Sequence, residues 1–364
     1  MRFKILIFKI SSIFISFSFI FCLSELLCRY KHLGFDGYTL KQEIFRIKNF
    51  NDHVKNNWFQ PKWPVKLDSN LGWKLKPGSH THNNPWNKKV IIDKDGFRSN
   101  GDIRKLNKND KIILFAGDSF TFGDGVNDNE TFPALYQTLI REKVVNAGVS
   151  GYGIDQIYLR TKQLLNDYNI SEIFFCFIAN DIIRSEHSIW TGAKKPYFNF
   201  NENKLEYFGI NKDIKTYSEI NIFQKYGGYS FFIHTVMVNF AMEYWLKPSS
   251  IGTQSKHNNG IQVSRLLFTR LKNLCDKKNI KLHLVPLMDG WEMDEYKDEN
   301  LLKNLLVGFD NKFSVIDLYS ELKQIKDENL TLWKSFFIYE DGHFSKDGNN
   351  FVSNYIFQNN IIYR

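Results

Sequence analysis

Two short stretches carry the residue types of a serine nucleophile and its base. Ser119 lies in GDSFTFG, directly after the apolar run IILFAG, and His343 lies in EDGHFS near the C-terminus. A serine nucleophile needs a base that removes its proton, an acid that orients the base, and hydrogen-bond donors for the oxyanion. His343 is the candidate base. The candidate acid is Asp341, two residues before it, or Glu340, three residues before it.

Two further loops supply candidate oxyanion donors. VVNAGVSGYG contains Gly148 and Gly151, and FFCFIAND contains Asn180 and Asp181. A glycine offers an accessible backbone N–H, and an asparagine side chain offers an N–H donor. Each residue also has an ordinary structural interpretation, since Ser119 fits a helix N-cap and the others fit turns and strand ends. Taken singly, these motifs leave the chemistry open.

The chain from IILFAG onwards has the pattern that brings such loops together. Short apolar runs alternate with amphipathic segments, which is typical of βαβ units around a parallel sheet buried on both faces. The runs are IILFAG, KVVNAG, EIFFCFIAN, KLHLVPLM and FSVIDLY, and the main amphipathic segments are TFPALYQTLIRE, IDQIYLRTKQLLNDY, SRLLFTRLKNLCDKKN and NFVSNYIFQNNII. We therefore predict an α/β fold. Ligands bind at the carboxyl ends of strands in such sheets, and Ser119 follows one of those ends.

The motifs GDSFTFG, NAGVSGYG, IAND and DGHFS follow one another in the order of four family signature blocks. From IILFAG to its end, the chain resembles the SGNH (GDSL-type) hydrolases, in particular membrane-anchored bacterial members linked to polysaccharide modification. The resemblance implies a flavodoxin-like, three-layer α/β/α fold with a parallel sheet. It implies Ser119 as nucleophile, His343 as general base and then acid, and Asp341 as orienting carboxylate. It also implies three oxyanion donors: the Ser119 backbone N–H, the Gly151 backbone N–H and the Asn180 side chain.

The chain departs from the family pattern at two positions. The third block usually has glycine two residues before its asparagine, where this chain has Ile178, which predicts a bulkier approach to Asn180. Many members place the acid three residues before the histidine, where this chain has Glu340. A D-x-H spacing occurs in related polysaccharide-modifying members. We therefore prefer Asp341 as the acid, with Glu340 as the alternative.

The resemblance implies acyl transfer through an acyl-enzyme, with no metal or diffusible cofactor. We expect a serine esterase that removes O-acyl groups, acetyl above all, from a cell-envelope carbohydrate or lipid. The alternative is an O-acyltransferase that decorates a polysaccharide with the help of a membrane-bound acyltransferase partner. A third interpretation is a non-catalytic binding domain on the same fold, which the intact set of site residues disfavours. Aromatic side chains suit sugar rings and membrane interfaces, but core packing explains them equally well.

The N-terminus reads as a membrane segment. ILIFKISSIFISFSFIFCL is apolar apart from one lysine and four serines, and a helix of this length nearly crosses a bilayer. A cleaved signal peptide is the competitor, but no small-residue cleavage site follows the apolar stretch, so we favour a retained, single-pass anchor at residues 1–28. Positive charges flank both ends of the stretch, so the charge rule sets the orientation only weakly. We prefer the catalytic domain on the periplasmic, extracytoplasmic side.

Composition bounds the remaining possibilities. The formal net charge is +9, but the lysines are scattered, so we expect no nucleic-acid partner. The four cysteines form no CxxC pair and no metal-ligand cluster, so neither a zinc site nor a disulfide framework is indicated. Residues 29–110 read as a loop- and β-rich extension, with a hairpin turn at Asp95-Gly96. Residues 111–364 read as the hydrolase domain, with an insertion at about 188–260 that lacks clear alternation.

Overall fold

The secondary structure alternates between strands and helices along most of the chain. The computed structural model describes residues 2–33, 64–82, 87–101, 106–107, 109–190, 193–202, 204–210, 222–227, 230–241, 259–291, 295–309, 312–339 and 341–362. The strands are β1 (Val65–Asp68), β2 (Gly72–Leu75), β3 (Gly78–His82), β4 (Lys88–Ile92), β5 (Lys111–Ala116), β6 (Val144–Asn146), β7 (Asn169–Phe177), β8 (Ile189–Trp190), β9 (Ala193–Lys194), β10 (Tyr197–Asn201), β11 (Lys204–Phe208), β12 (Lys281–Pro286) and β13 (Ser314–Val315). The helices are α1 (Arg2–Leu33), α2 (Ser119–Phe122), α3 (Phe132–Ile140), α4 (Ile154–Asp167), α5 (Ala179–Arg184), α6 (Ile222–Gly227), α7 (Phe231–Phe240), α8 (Gly260–Lys277), α9 (Glu295–Leu306), α10 (Leu318–Glu328), α11 (Leu330–Ser335) and α12 (Lys346–Ile362).

The contacts divide the chain into two compact units. One comprises residues 1–60, 191–193 and 212–252, and the other comprises residues 61–190, 194–211 and 253–364. The predicted domain boundaries after residues 28 and 110 stay predictions. The predicted insertion is described only in part, as β8 to β11 together with α6 and α7.

A five-stranded parallel sheet forms the centre of the second unit, in the order β13-β12-β7-β5-β6. Its central strand, β7, is nine residues long and its last six residues are buried. Successive side chains of a strand point to opposite faces of the sheet. Phe174 packs against Tyr136 of α3, while its neighbour Phe175 packs against Phe268 of α8. Helices therefore cover both faces, and the predicted α/β fold with a parallel sheet is confirmed.

The last predicted strand is shorter than expected. FSVIDLY was predicted to be extended throughout, but β13 contains only Ser314 and Val315. The Asp317 side chain accepts a hydrogen bond from the Ser320 backbone N–H at 3.1 Å and so caps the helix α10, which begins at Leu318. Asp is a favoured N-cap residue, and the helix that follows this cap contains Leu318 and Tyr319, the last two residues of the predicted strand.

The Asp95-Gly96 turn brings an arginine to the edge of the sheet. The Gly96 N–H donates to the Asp93 carbonyl at 3.1 Å, and Gly96 has a φ of +81°, which glycine adopts without steric cost. The chain then doubles back, and Arg98 pairs with Ile92 on one side and with Asn146 of β6 on the other. A residue of the predicted extension thus pairs with the edge strand of the parallel sheet.

The first unit contains the apolar N-terminal helix. Among the described residues, α1 is the one helix long and apolar enough to cross a membrane, with a mean hydropathy of 1.9 over Ser11–Tyr30. The Glu25 carboxylate accepts hydrogen bonds from the Ser230 hydroxyl at 2.7 Å and from the backbone N–H groups of Phe231 and Phe232 at 3.0 Å each. Glu25 therefore caps the N-terminus of α7, whose first N–H groups have no partner within the helix.

Candidate active site

Ser119 lies in a tight turn between β5 and α2. The Asp118 side chain caps α2 by accepting a hydrogen bond from the Phe120 backbone N–H at 3.0 Å. Gly117 has no room for a side chain, because a Cβ there would collide with Thr121. The short helix ends at Gly123, whose φ is +91°. This turn fixes Ser119 at the carboxyl edge of the sheet.

A continuous row of hydrogen bonds joins Ser119, His343 and Asp341. The distance from Ser119 Oγ to His343 Nε2 is 2.8 Å, and the distance from His343 Nδ1 to Asp341 Oδ1 is 2.6 Å. An ionised carboxylate only accepts, so His343 Nδ1 carries the proton and, in the neutral ring, Nε2 accepts from the Ser119 hydroxyl. The Asp341 carboxylate also accepts from the His343 backbone N–H at 3.3 Å. Glu340, the alternative acid, lies outside the described residues.

The imidazole lies in an apolar setting with carboxylates around it. Phe120 and Trp291 pack against the ring, with centroid distances of 4.8 and 5.3 Å. Burial lowers the pKa of His343, but the hydrogen bond to Asp341 and the charges of Asp124, Asp341 and Asp118 raise it, and the net pKa lies above the ordinary value. A base with a raised pKa binds the serine proton more strongly, but is neutral only at a higher pH.

The loop that contains Gly151 packs against the turn between β5 and α2 that contains Ser119. The Val149 N–H donates to the Gly117 carbonyl at 3.0 Å. A Cβ on Gly148 would collide with the backbone nitrogen of Phe122, so only glycine allows this approach. Gly151 follows with a φ of +79°. The loop lies beside Ser119, and the role of the Gly151 N–H as an oxyanion donor stays a prediction.

Asn180 lies in the first turn of α5, directly after β7. Ile178, the departure from the family pattern, is wholly buried, and its N–H donates to the Asp181 carboxylate at 3.1 Å. Asp181 also accepts from Arg184 at 2.7 Å, and the same guanidinium reaches Asp118 at 3.3 Å. Asp181 is therefore a structural partner of Arg184, and this ion pair connects the third motif to the first. The oxyanion role of the Asn180 side chain stays a prediction.

Arg98 holds the turn that contains Ser119, and no sequence motif pointed to this residue. Its guanidinium donates to the carbonyls of Phe122 at 2.7 Å, Gly123 at 2.5 Å and Val126 at 2.7 Å, and it pairs with Asp128 at 3.1 Å. These bonds satisfy carbonyls at the end of α2, which have no partner within the helix. Its position after the Asp95-Gly96 turn gives no sign of this role, because the contact spans more than twenty residues.

Asp124 is a second residue to which no sequence motif pointed. It is 2 % exposed, and its Oδ2 accepts a hydrogen bond from the Ser150 hydroxyl at 3.0 Å. The same oxygen lies 3.8 Å from His343 Nε2, while Oδ1 is buried and has no hydrogen-bond partner among the described residues. Burial raises the pKa of Asp124 to about 7, although His343, Ser150 and Arg98 all favour its charged form.

A cavity of about 480 Å³ lies away from this site. Its lining residues come from the turn after β4 and from the start of β6, and they include Asp93, Phe97 and Val144. None of the hydrogen-bonded row of Ser119 and its partners lines it. The geometry of the reactive groups, and not the size of this cavity, identifies the candidate site.

Several solved structures match about 70% of this chain at low sequence identity. A lipolytic protein of the G-D-S-L family from Desulfitobacterium hafniense, as that structure is described, matches at 14% identity and a TM-score of 0.40, with 69% of this chain and 99% of that one covered. An acetyl xylan esterase matches at 15% identity and a TM-score of 0.39, with coverages of 68% and 98%. An acetylxylan esterase from Geobacillus stearothermophilus matches at 12% identity and a TM-score of 0.39, with coverages of 70% and 96%. No family model and no curated protein matches the sequence.

Proposed function

We propose that the protein is a serine esterase that removes O-acyl groups, acetyl above all, from a cell-envelope carbohydrate or lipid. The observation that supports this most is the hydrogen-bonded row from Asp341 through His343 to Ser119, at the carboxyl edge of a parallel sheet. The geometry matches the order that nucleophilic catalysis needs, with an acid that orients a base and a base that faces a hydroxyl.

The proposed reaction has two steps. Ser119 Oγ attacks the ester carbonyl while its proton passes to His343 Nε2, and the same proton then leaves with the alcohol. Water attacks the acyl group on Ser119 with His343 again as base, and the acid is released. The oxyanion of each step would be held by the backbone N–H groups of Ser119 and Gly151 and by the side chain of Asn180.

The surroundings of the imidazole favour a small acyl group. Ser119 and His343 are only 5% and 8% exposed, and the Phe120 and Trp291 rings occupy the space beside the base. We therefore expect acetyl esters to react faster than esters of longer acids.

The test uses the full chain in detergent and p-nitrophenyl esters of increasing chain length. We expect acetyl ester hydrolysis that disappears in Ser119→Ala and His343→Ala, and labelling of wild-type Ser119 by a fluorophosphonate. The pair Asp341→Asn and Glu340→Gln identifies the acid, because loss of the orienting carboxylate costs up to about 10⁴-fold in kcat in serine hydrolases. A folded wild type that is inert on every ester and unlabelled would contradict the esterase proposal.

A sugar acceptor in the same assay separates hydrolysis from acyl transfer. Both reactions pass through the same acyl-enzyme, so the identity of the three catalytic groups does not distinguish them. An esterase gives free acetate in proportion to p-nitrophenol at every concentration of an added oligosaccharide. A transferase gives acetylated sugar instead, and the O-acyltransferase alternative would then replace the esterase.

We also propose that the N-terminal helix is retained as a single-pass anchor, with the catalytic unit on the extracytoplasmic side. The Glu25 cap on α7 supports retention, because cleavage beyond Glu25 would leave the Ser230 hydroxyl and two backbone N–H groups without this acceptor. Mass spectrometry of the membrane-bound protein should find residues 1–25 intact. A mature N-terminus beyond Glu25 would contradict retention, and labelling of single surface cysteines by a membrane-impermeant reagent tests the orientation.

A further inference from the structure

Asp124 is a buried carboxylate with few hydrogen-bond partners among the described residues. Its side chain accepts a hydrogen bond from the Ser150 hydroxyl, and the amide oxygen of an asparagine would accept that bond equally well. Within the part of the chain that the structure describes, Oδ1 is buried without a partner, which is costly for a carboxylate. A buried acid that gains little from its structural contacts, and lies beside a base, is characteristic of a functional group.

The position of Asp124 relative to His343 gives the charge a role. Asp341 binds the Nδ1 side of the ring, and Asp124 Oδ2 lies 3.8 Å from Nε2, on the side that faces Ser119. The imidazole therefore has one carboxylate on each nitrogen. Nε2 is the atom that gains a proton when the serine attacks, so the positive charge that develops there lies next to Asp124.

We propose that Asp124 is a positioning residue of the reaction, a second carboxylate that stabilises the His343 imidazolium while Nε2 holds the proton taken from Ser119. This inference rests on the proposed esterase function. The Ser119 O–H bond breaks as Oγ bonds to the carbonyl carbon, and the proton moves to Nε2. Asp124 attracts the resulting N–H and holds the ring in place until the proton leaves with the alcohol.

Several charged groups surround Asp124 and His343 and affect the pKa values of both. His343 is faced by Asp341 from its own loop and by Asp118 from the nucleophile turn, and Asp124 is also influenced by Arg98. Burial raises the pKa of Asp124 to about 7, and the hydrogen bond to Asp341 and the nearby carboxylates raise the pKa of His343, so the charge of each group affects the titration of the other. Two coupled groups of this kind show pKa values that belong to the pair.

The test is a histidine titration by NMR of the full chain in detergent, with ¹³C-labelled histidine. The chain has nine histidines, and the His343 signal is identified by its loss in His343→Gln. Asp124→Asn removes a negative charge near the ring, so we expect the apparent pKa of His343 to fall by roughly one to three units. Ser150→Ala, which leaves the Asp124 anion without its donor, should give a smaller fall in the same direction.

Glu186→Gln is the matched control. Burial raises the pKa of Glu186 as well, but its carboxylate accepts a hydrogen bond from the Gly260 N–H, and a glutamine oxygen can accept the same bond. The His343 titration should be unchanged in this variant. If Asp124→Asn moves the His343 titration no further than Glu186→Gln does, the inference is wrong.

Ester hydrolysis by the same samples separates the inference from the function on which it rests. The rise of kcat/KM with pH should move to lower pH in Asp124→Asn, together with the NMR titration. An inert wild type that still shows the His343 shift would overturn the esterase and with it the catalytic role of Asp124. An active wild type with no shift in Asp124→Asn would overturn only the inference.

Discussion

Lys195 is a buried lysine whose replacement tests how the second unit is held together. Both its side chain and that of Asp155, its ion-pair partner, are fully buried. The ammonium also donates to the carbonyls of Arg184 at 3.2 Å and His187 at 3.0 Å. Lys195→Met keeps most of the side-chain volume but leaves Asp155 charged or protonated in an apolar site.

The expected cost follows from the burial of both partners. Removing one member of a buried ion pair costs about 3–5 kcal/mol, because the other charge loses its partner but stays desolvated. For a domain of this size, about 1 kcal/mol lowers Tm by roughly 2–4 °C, so Tm should fall by about 6–20 °C. Burial raises the pKa of Asp155 even with Lys195 present. Because the Lys195 charge lowers this pKa, replacing Lys195 with methionine should raise the pKa of Asp155 further. Burying a protonated Asp155 costs less than burying its anion. The loss of unfolding free energy in Lys195→Met should therefore shrink as the pH falls towards the pKa that Asp155 has in the unfolded chain, and grow as the pH rises.

The double variant Lys195→Met/Asp155→Leu provides the decisive comparison. Replacing a whole buried ion pair by apolar residues is often neutral or stabilising, so we expect the double variant to recover most of the lost stability. Urea unfolding of the wild type, both single variants and the double variant gives the coupling free energy directly. A Lys195→Met loss below about 1 kcal/mol, or a double variant no more stable than the single one, would refute the reasoning from burial.

Three further predictions follow from the site. The kcat/KM of ester hydrolysis should rise with pH, with a midpoint above 6.5, because the pKa of His343 is raised and the base must be neutral. A midpoint at or below 6.5 would contradict the assignment of His343 as the base. Arg98→Lys should cost about 2 kcal/mol or more and slow ester hydrolysis at least about tenfold, since an ammonium cannot reach all the carbonyls that the guanidinium binds; equal unfolding midpoints would refute this. Gly148→Ala should abolish most activity, because its Cβ would collide with Phe122, whereas Gly209→Ala, with nothing within 4 Å, should behave as wild type in the same assay.

The parallel sheet could be predicted because its strands are buried on both faces. IILFAG, KVVNAG, EIFFCFIAN and KLHLVPLM are continuous apolar runs, and each contains a strand of the sheet. Such runs reflect a local requirement that the sequence displays directly. The strand predicted for FSVIDLY was only partly correct, because Asp317 caps a helix where the strand was expected to continue. A cap is recognised only once the following residues are known to be helical.

The site was predicted less completely than the sheet. Ser119, His343 and Asp341 were predicted from motif order, and the structure joins them by hydrogen bonds. Arg98 and Asp124 were not found, since one reads as an ordinary arginine after a turn and the other as an ordinary acid between glycines. Their importance lies in burial and in contacts with distant segments, and neither property is visible in a short motif.

By itself, the sequence determined the residue types of the site, the alternation of strands and helices, and an N-terminal helix long and apolar enough to cross a membrane. These follow from side-chain chemistry and hydrophobic periodicity, which are properties of neighbouring residues. Only the tertiary structure decided that Asp124 faces His343, that Arg98 closes the nucleophile turn and that Glu25 caps α7. Those contacts join residues far apart in the chain, so their energies depend on desolvation and distance, which exist only after the chain has folded.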